Sequence, residues 1–185
     1  MSTFRFAIMG AGNIAHQFCD AVTLVEDCEV SAIASKDLGR AQKFAEECSV
    51  AHAYDNYEQM LIEEKPDCVY IAVTPNDHFR LTMLCLEHRV PVLCEKAMFT
   101  NSAEAKAVFE KAEKDQTFVM EAMWSRFLPA VNQAKKWAAE GKIGRLEALQ
   151  GRIGFLAPEG ADNRYHSPLL CGGAATDITV YAYEI

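Results

Sequence analysis

The run Val90-Pro-Val-Leu-Cys-Glu-Lys96 ends an apolar strand in a carboxylate and an ammonium side by side. Successive strand residues point to opposite faces, so Glu95 and Lys96 should find separate partners rather than each other. An amine held at a strand end can place positive charge beside a reacting oxygen. Asp177 and Tyr181 form a second pair, and four residues apart on a helix they would share one face. A free tyrosine, ionising near pH about 10, is a poor base, but a nearby ammonium favours its phenolate. On spacing alone, two incidental polar residues on a helix near the chain end remain the simpler reading of that pair.

Gly10-Ala-Gly-Asn-Ile-Ala15 follows a strand and opens a helix. In the pattern G-x-G-x-x-A the first glycine allows a tight turn, the second lets backbone approach a pyrophosphate, and the small alanine lets helix and strand pack closely. The amides at Gly12, Asn13 and Ile14 would then face phosphate oxygens. At the end of the second strand, where NAD sites usually carry a carboxylate for the ribose 2′-hydroxyl, the chain reads Ala34-Ser-Lys-Asp37, with Arg40 one turn on. Ser35, Lys36 and Arg40 suit a 2′-phosphate, so NADP(H) is the expected cofactor and NAD the alternative. Asp37 either turns towards the ribose or caps the second helix.

The elements that must position these residues alternate. Strands are expected at 4–9, 29–34, 51–54, 68–73, 90–96 and 117–121. Helices are expected after the glycine loop and over 38–48, 56–64, 78–88 and 102–114. That rhythm predicts an α/β fold with a doubly wound parallel sheet, a dinucleotide-binding Rossmann domain over residues 1–122. Past Met123 the rhythm changes to a helix over 129–140, one long strand over 146–156, a polar loop over 157–171 and a helical stretch to the end. One strand needs partners for its edges. Residues 123–185 are therefore expected to be an incomplete unit: either something outside this chain completes it, or the chain is a fragment of a longer protein.

A formal charge of −8 over 185 residues argues against nucleic acid or an anionic membrane as the main partner. No apolar run approaches the roughly 20 residues that span a bilayer, and the amino terminus lacks a signal-peptide plan, so a cytoplasmic protein is expected. The seven cysteines, without a CxxC pair, read as reduced core thiols, and the five histidines lack metal-ligand spacing.

Five motifs occur in order: the glycine loop; Thr74-Pro-Asn-Asp-His78; Leu93-Cys-Glu-Lys96; Glu121-Ala-Met-Trp-Ser-Arg-Phe-Leu-Pro129; and Gly172-Gly-Ala-Ala-Thr-Asp-Ile-Thr-Val-Tyr181. The whole chain thereby resembles the glucose-fructose oxidoreductase / inositol dehydrogenase / rhizopine-catabolism (Gfo/Idh/MocA) family, nearest its dimeric dihydrodiol dehydrogenase branch. The resemblance implies a two-domain NAD(P)-dependent oxidoreductase acting on a sugar, polyol or dihydrodiol-like small molecule, in which residues 123–185 are the incomplete start of an α/β substrate domain, with an oligomer interface usually in that second domain. It makes Lys96 and Tyr181 catalytic, with Asp177 holding Lys96 or a substrate hydroxyl. It also brings Thr74, Pro75, Asn76 and Lys96 to the cofactor, while Glu95 either joins them or, by pairing with a cation or backbone amides, holds structure on the opposite face. His78 either joins them or merely starts a helix. Trp124 walls the substrate pocket or packs in the core; Arg126 meets an anion or lies along the surface. The chain departs from the family at Ala97, where the family has proline, and so loses a restriction on how Lys96 is aimed. A catalytically silent NADP(H)-binding module, a remnant or a dinucleotide sensor, is the competing expectation.

Overall fold

The computed structural model of the chain describes residues 3–158, 160 and 163–184. Residues 159, 161 and 162 of the anticipated polar loop, and the ends of the chain at 1, 2 and 185, lie outside the described set. The chain divides into two compact units, Met1–Glu121 and Ala122–Ile185.

In the first unit strands β1 (Phe4–Met9), β2 (Cys28–Ala34), β3 (His52–Tyr54), β4 (Cys68–Ile71), β5 (Val92–Cys94) and β6 (Val119–Glu121) form one sheet. Its order is β3-β2-β1-β4-β5-β6. Every pairing is parallel, with Met9 opposite both Ala34 and Ile71, Ile71 opposite Cys94, and Cys94 opposite Glu121. All six strands therefore end at one rim, and the order reverses between β1 and β4, where ligands of such sheets settle. Helices α1 (Asn13–Val22), α2 (Leu38–Cys48), α3 (Tyr57–Glu64), α4 (His78–Glu87) and α5 (Ser102–Asp115) make the crossovers, with a short 3-10 turn at Pro75–Asp77.

The sequence dictates this locally. A central parallel strand is covered on both faces, and β4 is accordingly buried at every position. Ala7, Met9, Ala32, Ala34, Val69, Ile71, Val92 and Cys94 pack with Met60, Leu61, Leu81 and Cys85. Burying each large side chain stabilises by about 1.5–3 kcal/mol. Asp37, Asn56 and Asn101 cap α2, α3 and α5, each accepting from the amide three residues on. The open choice at Asp37 thus falls to the cap. The buried cysteines behave as core thiols: burial pushes Cys68 to about 12 and raises Cys85 and Cys94 as well. No helix among the described residues is long and apolar enough to cross a membrane.

The second unit holds a 3-10 turn at Trp124–Phe127, α6 (Pro129–Ala139), a 3-10 turn at Pro168–Leu170, and the short helices α7 (Ala174–Asp177) and α8 (Thr179–Glu184). The strand expected over 146–156 does not form. An extended segment leaves its backbone groups unpaired unless a neighbour bonds them, and the described residues of this unit contain no other strand. The single helix expected to carry Asp177 and Tyr181 is also interrupted. Ile178 (φ −121°, ψ −43°) leaves the helical region, and the Tyr181 amide bonds Ile178 O, three residues back.

Candidate functional site

Gly10 lies at φ +108°, a backbone shape that only glycine adopts cheaply, and donates its amide to Ala34 O at 2.8 Å. Gly12 caps α1 in an extended conformation, and a Cβ there would have only Ala72 O nearby, at 3.9 Å. The loop is thus tight where it turns and open where α1 begins. Exposed Asn13 and Ile14 carry the first amides of α1, which have no partner within the helix. Ala15 is fully buried, as close packing of helix on strand requires. Two loop carbonyls are already engaged: Arg40 Nη2 donates to Ala11 O at 3.2 Å, and His16 Nδ1 stands 3.1 Å from Gly12 O. His16, whose Nε2 also meets Glu47 Oε2 at 3.0 Å, was not anticipated from sequence.

At the end of β2, Ser35 is buried and accepts from the Asp37 amide at 3.5 Å. Lys36 and Arg40 are exposed beside the glycine loop. With an open cradle, uncommitted first-turn amides and two cations, the residues present fit a phosphorylated dinucleotide. At the end of β4, Pro75 is buried while Asn76 is exposed at the rim, and Thr74 starts the turn.

His78 does not face the rim. It is fully buried, with Nε2 3.1 Å from Val73 O and Nδ1 3.0 Å from Ala97 O and 3.2 Å from Met98 O. Of its two expected places, His78 takes that of the residue that starts α4, and its ring ties the segment after β4 to the loop after β5. Burial holds its imidazole below the usual value, against the pull of those carbonyls.

Lys96 follows β5 at the rim, half-buried, and its peptide with Ala97 is cis. Three side chains grip the loop around it. Glu95 is buried and accepts from Tyr70 Oη at 2.6 Å and from the Lys96 amide at 3.2 Å; burial raises its carboxyl. Glu95 therefore points into structure rather than to a cofactor, as its place on the face opposite Lys96 requires. His78 meets the carbonyls of Ala97 and Met98, and Glu121 Oε1 accepts from the Met98 amide at 2.8 Å. Ala97 thus stands in a loop held from both sides. Glu121 was missed as a positioning residue, although it opens the fourth motif.

In the second unit, Trp124 Nε1 donates to Tyr181 Oη at 2.9 Å, with the rings edge-on at 5.8 Å between centroids. Trp124 is 54% exposed, so it is not a core residue, whereas Tyr181 is buried. Asp177 is buried, with Arg164 Nη1 3.5 Å from its Oδ1. Arg126 is exposed on the turn beside Trp124. Among the described residues, no group of three or more His, Cys, Asp or Glu side chains could hold a metal ion.

Residues 4–123 match a family described as an oxidoreductase family with an NAD-binding Rossmann fold, GFO_IDH_MocA. Trans-1,2-dihydrobenzene-1,2-diol dehydrogenase of Mus musculus is 33% identical over 185 residues, covering 97% of this chain and 54% of its own length. The Sus scrofa protein of the same name is 34% identical with the same coverage. The chain thus spans about half the length of the curated relatives it matches. An NAD-binding protein from Listeria innocua superposes with a TM-score of 0.86 at 22% identity, over 98% of this chain and 53% of that one, which shows the shared fold. The Y186F mutant of KijD10, a 3-ketoreductase from Actinomadura kijaniata in complex with TDP-benzene and NADP, gives a TM-score of 0.72 at 26% identity, over 78% and 44%.

Proposed function

The chain belongs to the Gfo/Idh/MocA oxidoreductase family, and from that premise we propose that it binds NADP(H) in preference to NAD(H) and serves hydride transfer on a sugar, polyol or dihydrodiol-like alcohol or its carbonyl. The observation that carries the reading is the open cradle at Gly12 beside two exposed cations, Lys36 and Arg40, with Asp37 committed to its helix cap. With Asp37 so used, no carboxylate in the Ala34-to-Asp37 stretch is left to take a bare ribose 2′-hydroxyl, and the two cations suit a 2′-phosphate.

The residues that would hold the cofactor are Gly10, Gly12, Asn13, Ile14, Ser35, Lys36, Arg40, Thr74, Pro75 and Asn76. When bound, the nicotinamide ring supplies the hydride acceptor or donor carbon. Tyr181 Oη takes the hydroxyl proton of the alcohol, or returns it to the carbonyl in the reverse direction, as a general acid–base. The Trp124 indole N–H on that oxygen supports the assignment, because a hydrogen bond strengthens as its acceptor gains negative charge. Lys96 supplies positive charge to the developing alkoxide, and its gripped loop supports a fixed aim. Asp177 positions a cation or the substrate hydroxyl, and Trp124 and Arg126 line the substrate side.

A second reading, a dinucleotide-binding module without turnover, draws support from the stretch 146–156. There the expected strand is absent, and Leu146, Leu149, Ile153 and Phe155 are exposed. Titration of nicotinamide fluorescence with NADPH and NADH tests the cofactor assignment, and equal or reversed affinities would sink it. Turnover of a carbonyl substrate that vanishes in Lys96→Met supports the enzyme. Tight NADPH binding with no turnover on sugars or dihydrodiols supports the module.

A further inference from the structure

Lys36 follows β2 and Asp77 follows β4, two strands separated in the sheet by β1. Lys36 Nζ nevertheless stands 2.7 Å from Asp77 Oδ2. The ion pair therefore bridges the carboxyl end of β1, across the place where the chain turns into the glycine loop. Its two ends differ in freedom. The Lys36 side chain is 70% exposed and that of Asp77 13%. Asp77 is anchored from its other side by Arg80, whose Nε and Nη2 lie 2.8 and 3.1 Å from Oδ1 and Oδ2. The Arg80 guanidinium also sits over the Tyr57 ring, 5.9 Å from its centroid. Asp77 is thus a fixed anion and Lys36 a movable cation on a flexible stem. The Arg80 hydrogen bonds, opposed by burial and helped by Lys36, keep the Asp77 carboxyl below its usual range, so it is ionised at neutral pH.

We propose that Asp77 is a specificity-determining residue of the dinucleotide site, holding the Lys36 ammonium in a strap across the end of β1 until a ribose 2′-phosphate takes it away. This rests on the reading above that Lys36 serves a 2′-phosphate. A phosphate near two negative charges competes with a single carboxylate for the ammonium, whereas an uncharged 2′-hydroxyl does not. The NADP(H) form opens the strap; the NAD(H) form binds beneath it. Asp77 therefore lowers the intrinsic affinity for NADP(H), and Arg80 moderates that penalty by sharing the same carboxylate.

The test uses the full chain, with NADPH and NADH titrated by fluorescence into four variants, each first checked for a cooperative melt. Asp77→Asn is expected to tighten NADPH about 2–5-fold with less than about twofold change for NADH, a partly exposed ion pair being worth roughly 1 kcal/mol or less. Arg80→Gln, on an exposed side chain, is expected to act in the opposite direction and weaken NADPH about 2–5-fold. The double variant Asp77→Asn/Arg80→Gln should keep the gain of Asp77→Asn. Loss of that gain would show that released Arg80, not Lys36, binds the phosphate, and would overturn the proposal. Lys36→Ala separates the two layers. If the NADPH-to-NADH ratio is unchanged in it, the 2′-phosphate reading itself fails. If the ratio collapses while Asp77→Asn and Arg80→Gln leave NADPH affinity untouched, only the strap fails.

Discussion

Replacing Gly10 and Gly12 by alanine, one at a time, should separate folding from binding within a single loop. At Gly10 a new Cβ would lie 2.7 Å from Ala72 O, 2.8 Å from Ala72 C and 2.9 Å from Val73 Cγ1. Two of these atoms are backbone, and that segment is tied to the sheet because the Ala72 amide donates to Met9 O at 2.8 Å. The backbone cannot retreat without loosening β1 from β4. Alanine at φ +108° adds strain of about 1–3 kcal/mol, and overpacking adds about 1–3 kcal/mol more. A total of about 2–6 kcal/mol in a chain of this size lowers Tm by roughly 4–24 °C. At Gly12 the φ of −106° suits any residue, and the nearest atom to a new Cβ is 3.9 Å away. Alanine there should cost less than about 1 kcal/mol, the loss of a favourable N-cap residue. Its methyl group would occupy the approach to the first-turn amides, and NADPH affinity should fall at least about tenfold, or roughly 1.4 kcal/mol. Calorimetric melts and NADPH fluorescence titrations read both effects. A Gly12→Ala chain that binds NADPH like the parent would refute the cradle. A Gly10→Ala chain that melts within about 2 °C of the parent would refute the packing argument.

His78→Phe fills the same space but removes the ring nitrogens that face the Val73, Ala97 and Met98 carbonyls. It should cost about 2–3 kcal/mol at pH 7.5, from one lost hydrogen bond and an orphaned carbonyl. Because burial lowers the folded pKa of His78, the unfolded chain binds the proton first as pH drops. The stability contributed by this residue is complete above the unfolded value near 6.5 and is lost as pH falls through the folded one, at up to about 1.4 kcal/mol per pH unit. Urea midpoints of parent and variant should therefore converge between pH 7.5 and 5.5; a constant gap would contradict the burial argument. Glu64, buried between α3 and β3, accepts from Arg5 Nη2 at 2.8 Å and Tyr54 Oη at 2.7 Å, and lies 2.6 Å from His52 Nδ1. Glu64→Ala should destabilise by about 2–4 kcal/mol in urea denaturation, because the partners lose a shared buried anion. A loss under about 1 kcal/mol would show that the cluster is held by its exposed members alone.

The sequence alone determined the alternation of strands and helices and the glycine loop, and it named the helix cap as one of two roles for Asp37. Each is written in a short window, where apolar period, backbone freedom or a side chain three residues from an amide decides the outcome. The common rim carrying Gly10, Lys36, Asn76 and Lys96 was legible for the same reason, since parallel strands joined by helices must all end on one side. Only the tertiary structure decided that His78 turns inward, that Glu121 grips Met98, that Lys36 crosses β1 to Asp77, and that Trp124 donates to Tyr181. Those partners lie 20, 23, 41 and 57 residues apart in the chain, and no local propensity encodes which distant group a side chain will meet. The stretch 146–156 and the break at Ile178 show the converse. A segment with strand-like residues stays irregular without a neighbour to take its backbone hydrogen bonds, and an i, i+4 spacing makes one helical face only if the residue between keeps helical torsions.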